Sequence, residues 1–192
     1  MLLTQLALFI ADTVFGFFSI LLLGRFLMQW LRVSFRNQVG AFVVAATDWA
    51  VLPVRRFMPG MFGLDWASLI LAILVQTLLV LVTFLLRGLW FGGAPIAVAL
   101  VVLLLGLLEA LKLAIYLLVG IVIVAAILSW VNPYSPLAPL FNALVRPFLR
   151  PFQRMIPPVA NVDLSPLVLL LVLQVILFLL ASVRANAVAL VV

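Results

Sequence analysis

Four apolar stretches dominate the hydropathy pattern of the chain, and each is close to the roughly 20 residues that an α-helix needs to cross the hydrocarbon core of a bilayer. They cover residues 6–31, 66–86, 113–131 and 164–183. This pattern predicts an all-α integral membrane protein with four transmembrane helices. Counting back about 20 residues from Arg32 and from Asn132 places the outer boundary of the bilayer near Asp12 and Lys112. This leaves residues 2–11 and 96–108 as extra apolar turns before the first and third spans. These extra turns are expected to tilt, to kink at Gly106, to lie on the outer surface or to contact a partner.

The two halves of the chain are related in sequence, which indicates an internal repeat. Trp30 matches Trp130 at an offset of 100 residues, and after a loop that is two residues shorter in the second half the offset is 98. Five further identities follow in the same order, namely Pro53 with Pro151, Arg56 with Arg154, Pro59 with Pro157, Asp65 with Asp163, and Gln76 with Gln174. Each half has two spans, so both enter the membrane on the same side. The sequence predicts two parallel repeats, residues 1–90 and 91–192, related by a pseudo-two-fold axis along the membrane normal.

The connection within each repeat contains a Pro/Arg-rich amphipathic segment, at residues 41–59 and 137–157. In the second segment the polar residues recur at helical spacing within about a third of a turn, as in a basic helix that lies in the headgroup plane. Pro147 and Pro151 predict two short turns with a kink instead of one straight helix. The candidate lipid or partner contacts are Pro53, Arg55, Arg56, Pro59, Arg146, Arg150, Pro151, Arg154 and Pro157. The simplest interpretation is bundle closure with anchoring to anionic lipid, and the alternatives are a docking surface for a cytoplasmic partner and a re-entrant pore element.

Asp65 and Asp163 stand just before the second span of each repeat. A carboxylate at that position can accept hydrogen bonds from the first free backbone N–H groups of the helix and complements the positive end of its dipole. We therefore expect both residues to be structural N-caps. A contact with Arg56 or Arg154 of the preceding segment is compatible with this role.

A row of polar residues runs along one face of the first span and continues past its predicted cytoplasmic end. Arg25, Gln29, Arg32 and Arg36 recur at spacings of four, three and four residues and superimpose on one face of a helix. Arg25 and Gln29 are intramembrane candidates for function, although the Arg25 side chain is expected to snorkel to the nearby boundary. The second repeat has Ala125, Ser129 and Asn132 at the positions that correspond to Arg25, Gln29 and Arg32. This difference disfavours a charge-lined conduction path built from both repeats.

Gln76 and Gln174 lie in the middle of the second and fourth spans. An amide at that depth needs a hydrogen-bonding partner, since the acyl chains provide none. An interhelical hydrogen bond is the expected role of each, and contact with a solute or ion is the alternative.

Composition excludes most enzyme chemistry. Of 192 residues 69% are hydrophobic and 8% charged, and the chain has no cysteine and no histidine. It can therefore form no thiolate or imidazole metal site and no Cys/His or Ser/His nucleophile system. Glu109 and Lys112, three residues apart, are expected to neutralise each other. No catalytic residue, cofactor or metal is predicted.

The formal charge of +6 does not indicate nucleic-acid binding, because no basic face with interleaved aromatic residues is present. The basic residues instead predict how the protein is oriented in the membrane. Seven arginines lie in the two connections within the repeats, and three basic residues lie on the other side. The positive-inside rule then places both long loops in the cytoplasm and both termini outside.

The repeated block resembles the YggT family of bacterial integral membrane proteins. The resemblance rests on residues 53–59 before Asp65 and on residues 146–158 before 163–166, and it covers roughly residues 21–79 and 121–177. The chain is similar to the tandem form of a YggT/YlmG repeat that also occurs singly. Its first copy departs from the pattern, with Asp48 and Trp49 where the second copy has Arg146 and Pro147.

This resemblance implies a multi-pass protein of the bacterial inner membrane, in a family linked to osmotic stress, envelope and division processes, nucleoid distribution and assembly of photosynthetic complexes. We expect a non-enzymatic adaptor or assembly factor that acts on anionic lipid headgroups or on a membrane or cytoplasmic protein partner. An ion or small-solute channel linked to osmotic stress is the alternative. Small residues in the spans would permit a homo-oligomer.

Overall fold

The computed structural model describes residues 2–57, 63–88, 95–155 and 163–189. These residues form six α-helices, which are α1 (Leu2–Trp30), α2 (Gln38–Phe57), α3 (Trp66–Leu86), α4 (Pro95–Val131), α5 (Ala138–Met155) and α6 (Ser165–Ala189). Four of them, α1, α3, α4 and α6, are long and apolar enough to cross a membrane. The predicted all-α membrane fold is confirmed.

The four long helices run antiparallel in sequence order, and α2 and α5 lie at one end of the bundle. We call this the α2/α5 end, where α1 and α4 finish and α3 and α6 begin, and we call the other the far end. α3 packs against α1 and α4, and α4 packs in turn against α6. The contact between α3 and α4 joins the two repeats.

The extra apolar turns before the first and third spans continue the helices without a break. α4 has 37 residues, so at 1.5 Å per residue it is about 55 Å long. Val102 and Leu105 are buried in one cluster with Val80 and Phe84 of α3. The stretch at 96–108 therefore packs beside the far-end half of α3, and the third span extends well beyond its predicted start at residue 113.

Gly106 provides the close approach that this packing requires. A Cβ atom built on Gly106 would lie 2.6 Å from the Cα atom of Thr77 in α3. Only a residue without a side chain fits there. Gly106, which the sequence offers as one possible site of a kink in α4, instead lets the backbones of α3 and α4 touch inside a continuous helix.

α5 is one helix of 18 residues with Pro147 and Pro151 inside it. The predicted break into two short turns is wrong. Both prolines lie on the exposed side, while Leu144 and Leu149 on the other side are buried in the core cluster that α5 shares with α4 and α6. Packing of the buried face outweighs the local cost of the two prolines, which is about 3 kcal/mol each in a helix interior.

Candidate functional site

Arg25 is buried at the α2/α5 end of the bundle, and its side chain does not snorkel. The side chain is 5% exposed, and its Nη1 atom donates hydrogen bonds to Thr47 at 2.8 Å and to the Asp48 carboxylate at 2.7 Å. Its Nε atom lies 3.3 Å from the Asp65 carboxylate. The prediction of a snorkelling arginine is wrong because α2 packs over this part of α1 and supplies the counter-charge in place.

Asp65 accepts a second arginine from α2. Nη2 and Nε of Arg55 lie 2.5 and 3.2 Å from its carboxylate oxygens, and the Ser68 hydroxyl donates to it at 2.7 Å. Nη2 of Arg55 also donates to Gln29 at 3.2 Å. The Asp65 side chain makes no capping hydrogen bond to the helix backbone. It therefore pairs buried charges instead of capping α3, and its partner is Arg55 and not Arg56.

Arg25, Asp48, Arg55 and Asp65 form a group that we call the ion-pair network. It contains two positive and two negative charges, and it joins α1 to α2 and to the residue before α3. Charges removed from water are stable only when they are paired and hydrogen-bonded. The network therefore ties α1, α2 and the start of α3 together. Arg25 is buried within it, whereas the Arg55 side chain is 35% exposed.

The network predicts a defined loss of stability at acidic pH. Burial raises the pKa of the Asp65 carboxyl, but hydrogen bonds from Arg55 and Ser68 and the charges of Arg55 and Arg25 outweigh it, so the pKa lies below the ordinary 3.8. The contribution of the ionised Asp65 carboxylate to the free energy of unfolding is complete above the pKa that Asp65 has in the unfolded chain. It is lost as the pH falls through the lower pKa of the folded protein. The free energy of unfolding should decrease below about pH 3.8 in the native chain. In Asp65→Asn the free energy of unfolding, measured as a function of pH, should fall less in this acidic range than it does in the native chain. An equal fall in both proteins would show that Asp65 does not cause the loss of stability.

In the second repeat a glutamine takes the place of the arginine that binds the aspartate. At the repeat offset Arg55 corresponds to Gln153, whose Nε2 atom donates to Asp163 at 2.8 Å. The backbone N–H of Ser165 donates to the other Asp163 oxygen at 2.8 Å, so this carboxylate does hold the first turn of α6. Burial raises the pKa of Asp163, and the bonds from Ser165 and Gln153 lower it below its ordinary value. Gln153, and not Arg154, is the contact.

The divergence between repeats leaves a basic face on α5. Asp48 of the network corresponds to Arg146, which with Arg150 and Arg154 is spaced at four-residue intervals and lies within about 80° of the helix circumference. All three side chains are exposed, and none forms an ion pair with another described residue. α5 itself contains no carboxylate. An open groove of about 430 Å³ runs beside Arg146 and is lined also by Asn142.

The remaining predicted contact residues are spread over both repeats. Pro53, Arg56 and Pro151 are exposed. Pro59 and Pro157 lie outside the described residues.

The two mid-membrane glutamines differ in their surroundings. Gln76 is 1% exposed, and its Nε2 atom donates to the Ser19 hydroxyl of α1 at 2.8 Å, which is an interhelical bond of the expected kind. Gln174 lies on the exposed side of α6 and makes no hydrogen bond to another side chain in the described part of the chain. Gln174 therefore does not form the expected interhelical bond within the described residues.

Sequence reasoning missed one charged cluster at the far end. Glu109 pairs with Lys112 as expected, but Arg184 of α6 also binds it, with its Nε atom 2.5 Å from the carboxylate. Arg184 is 75 residues away in sequence, and no spacing signal connects it to Glu109. Only the packing of α6 on α4 brings them together.

Comparison with known proteins decides the family. The sequence profile of the CCB3/YggT family matches residues 4–86 and 104–184. The chain belongs to the CCB3/YggT family. The two matched segments begin 100 residues apart, which is the offset between the tryptophans of the two halves, so the protein is a tandem member.

Relatives of this YggT family protein include an uncharacterized protein of Pseudomonas aeruginosa, 34% identical over 172 residues that make up 88% of this chain and 85% of the relative. The uncharacterized protein YggT of Escherichia coli K12 is 34% identical over 173 residues, with the same two coverages. An uncharacterized protein of Vibrio alginolyticus is 32% identical over 91% of this chain and 93% of its own length. No solved structure is significantly similar to the chain.

Proposed function

We propose that this YggT family protein is a non-enzymatic adaptor of the bacterial inner membrane that docks an acidic segment of a protein partner on the basic face of α5. One observation carries the proposal. Arg146, Arg150 and Arg154 form an exposed row without ion pairs among the described residues. Arginine is suited to this task because its planar guanidinium binds carboxylates in a bidentate manner.

The packing of α5 favours a protein partner over insertion into lipid. An amphipathic surface helix binds a membrane by burying its apolar face among acyl chains. In α5 that face is already occupied, because Leu140, Leu144 and Val145 are buried in a cluster with residues of α4 and α6. The arginines therefore point away from the bundle, and the groove beside Arg146 can receive side chains of a bound segment.

The hydrogen bonds and ion pairs formed by Arg25 and Gln76 disfavour the alternative that the protein is a channel. Arg25 is bound to Thr47, Asp48 and Asp65, and Gln76 is bound to Ser19. A solute that used these groups would first have to break buried bonds. Both polar sites are accounted for by helix packing.

Site-directed photocrosslinking in native membranes tests the adaptor proposal. A photoreactive residue at Asn142, which is exposed in the groove, should form adducts with a specific protein. The variant Arg146→Glu/Arg150→Glu/Arg154→Glu should lose these adducts almost completely, because three attractive charges become repulsive. The control Arg32→Glu/Arg36→Glu/Arg56→Glu reverses the same number of exposed arginines elsewhere in the chain and should retain them. Equal adducts in both variants, or adducts with phospholipid alone, would overturn the proposal.

The adaptor proposal requires α5 to face the cytoplasm, as the distribution of arginines predicts. The cysteine-free chain permits a labelling test with single cysteines. Tyr134, between α4 and α5, is 95% exposed. Gly93 follows α3 and precedes α4 in the sequence, and it lies outside the described residues. A membrane-impermeant maleimide applied from outside should label Gly93→Cys and leave Tyr134→Cys unlabelled until the membrane is opened. The reverse pattern would place α5 outside and exclude a cytoplasmic partner.

A further inference from the structure

A cavity of about 430 Å³ opens at the far end of the bundle, remote from α5, and all four long helices line it. Its apolar walls come from α1, α3, α4 and α6, and they include Leu8, Val80, Leu105 and Val188. Its charged groups are Asp12, Arg87, Glu109, Lys112 and Arg184. The cavity is thus amphipathic, and it lies apart from the α5 face and from the ion-pair network.

The charged groups are arranged with a surplus of cations. Glu109 is 9% exposed and binds both Lys112 and Arg184, so one carboxylate holds two positive charges in place. Arg87 and Asp12 are exposed and form no ion pair with any described residue. Three cations face two carboxylates, which leaves one positive charge to be neutralised.

The position of the cavity matches the depth of lipid headgroups. Arg87 directly follows α3, whose 21 residues are about the length needed to cross the hydrocarbon core. Arg184 lies near the far-end terminus of α6. Asp12 lies 18 residues before Trp30, which ends α1 at the α2/α5 end, so it too is about one span length from that end, and the first ten residues of α1 extend beyond it. The charges therefore ring the cavity near the boundary where phosphates of the adjacent leaflet lie, and ionisable groups at such sites in membrane proteins usually serve function.

We propose that this cavity binds a monoanionic phosphate ester, the headgroup phosphate of an anionic phospholipid, with its acyl chains along the apolar walls. A phosphodiester carries one negative charge and neutralises the surplus. Arg87 and Arg184 supply charge-assisted hydrogen bonds to its oxygens, and Lys112 supplies a point charge. Glu109 is a positioning residue, because it orients Lys112 and Arg184 without contacting the anion.

Single substitutions at two cavity residues that form no ion pair among the described residues are expected to change the lipid affinity in opposite directions. Arg87→Gln should weaken binding of phosphatidylglycerol about tenfold or more, because it removes a charge-assisted hydrogen bond. Asp12→Asn should strengthen binding about threefold or more, because it removes a negative charge from the cavity. Neither substitution breaks an ion pair among the described residues, so the melting temperatures of the lipid-free proteins should remain close to that of the native chain.

Native mass spectrometry and lipid titration of the full-length protein in a nonionic detergent measure these affinities. The probes are phosphatidylglycerol, phosphatidylethanolamine and inorganic phosphate, and the control variant is Arg32→Gln/Arg36→Gln, which changes two exposed arginines outside the cavity. The native chain and the control should bind one phosphatidylglycerol more tightly than phosphatidylethanolamine. Equal affinity for the two lipids, or equal changes in Arg87→Gln and in the control, would overturn the proposal.

A cavity-filling variant distinguishes a lipid from free phosphate. Leu8→Trp adds volume to the apolar wall and leaves the charged groups unchanged. It should reduce the affinity for phosphatidylglycerol at least about tenfold, because overpacking leaves no room for the acyl chains. If inorganic phosphate binds as tightly as the lipid, and Leu8→Trp affects neither, the cavity is a site for a free anion and the lipid assignment is wrong.

Discussion

Replacing Asp65 with alanine is expected to lower the free energy of unfolding by about 3–5 kcal/mol, the typical cost of removing one partner from a buried ion pair. Asp65 is 1% exposed and faces both Arg25 and Arg55. Without it, Arg25 retains Asp48 alone, and a largely buried guanidinium loses half of its counter-charge. Denaturant unfolding in mixed micelles, followed by the fluorescence of the native tryptophans, measures this loss.

The second repeat provides a matched control for this substitution. Asp163 occupies the equivalent position but is exposed, and among the residues that the structure describes it is bound by Gln153 and by the backbone of Ser165. Asp163→Ala should cost about 1 kcal/mol, the usual cost of a lost capping residue. A loss in Asp65→Ala no larger than the loss in Asp163→Ala would show that the ion-pair network does not stabilise the first repeat.

Replacing Gly106 with alanine is expected to separate α3 from α4 and to destabilise the contact between the repeats. The new methyl group would lie 2.6 Å from the Cα atom of Thr77, and a backbone atom cannot move aside as a flexible side chain can. Overpacking of this kind costs about 1–3 kcal/mol, and a clash with backbone belongs at the upper end of that range or above it.

Gly120 is the matched control in the same helix. A Cβ atom on Gly120 would meet nothing within 4 Å, so Gly120→Ala should stabilise the helix by about 0.5–1 kcal/mol through its lower backbone entropy in the unfolded chain. The two substitutions are chemically identical and should have opposite signs in the same unfolding assay. If both stabilise the protein, α3 and α4 are not in backbone contact at Gly106.

The sequence by itself determined the four spans, the internal repeat and the family. Hydrophobic length is a local property, because a helix must satisfy its own backbone hydrogen bonds in lipid, so each span can be identified from its own residues. The repeat can likewise be found without knowledge of the tertiary contacts, since it requires only the comparison of one stretch of sequence with another. The exposed arginines of α5 were also predictable, because a 3.6-residue period places Arg146, Arg150 and Arg154 on one face whatever the helix packs against.

Only the tertiary structure decided which polar groups meet. Arg25 lies 23 residues from Asp48 and 40 from Asp65, and Glu109 lies 75 from Arg184. These partners are selected by the rotation of each helix about its axis and by the way α2 packs over α1. Gly106 shows the same dependence, since a glycine in an apolar helix is compatible with a kink or with a close contact until the neighbouring backbone is in place. An apolar side chain can be buried against any apolar neighbour, whereas a hydrogen bond or an ion pair needs two particular atoms within about 3–4 Å of each other. Such distances arise only when the helices are packed together.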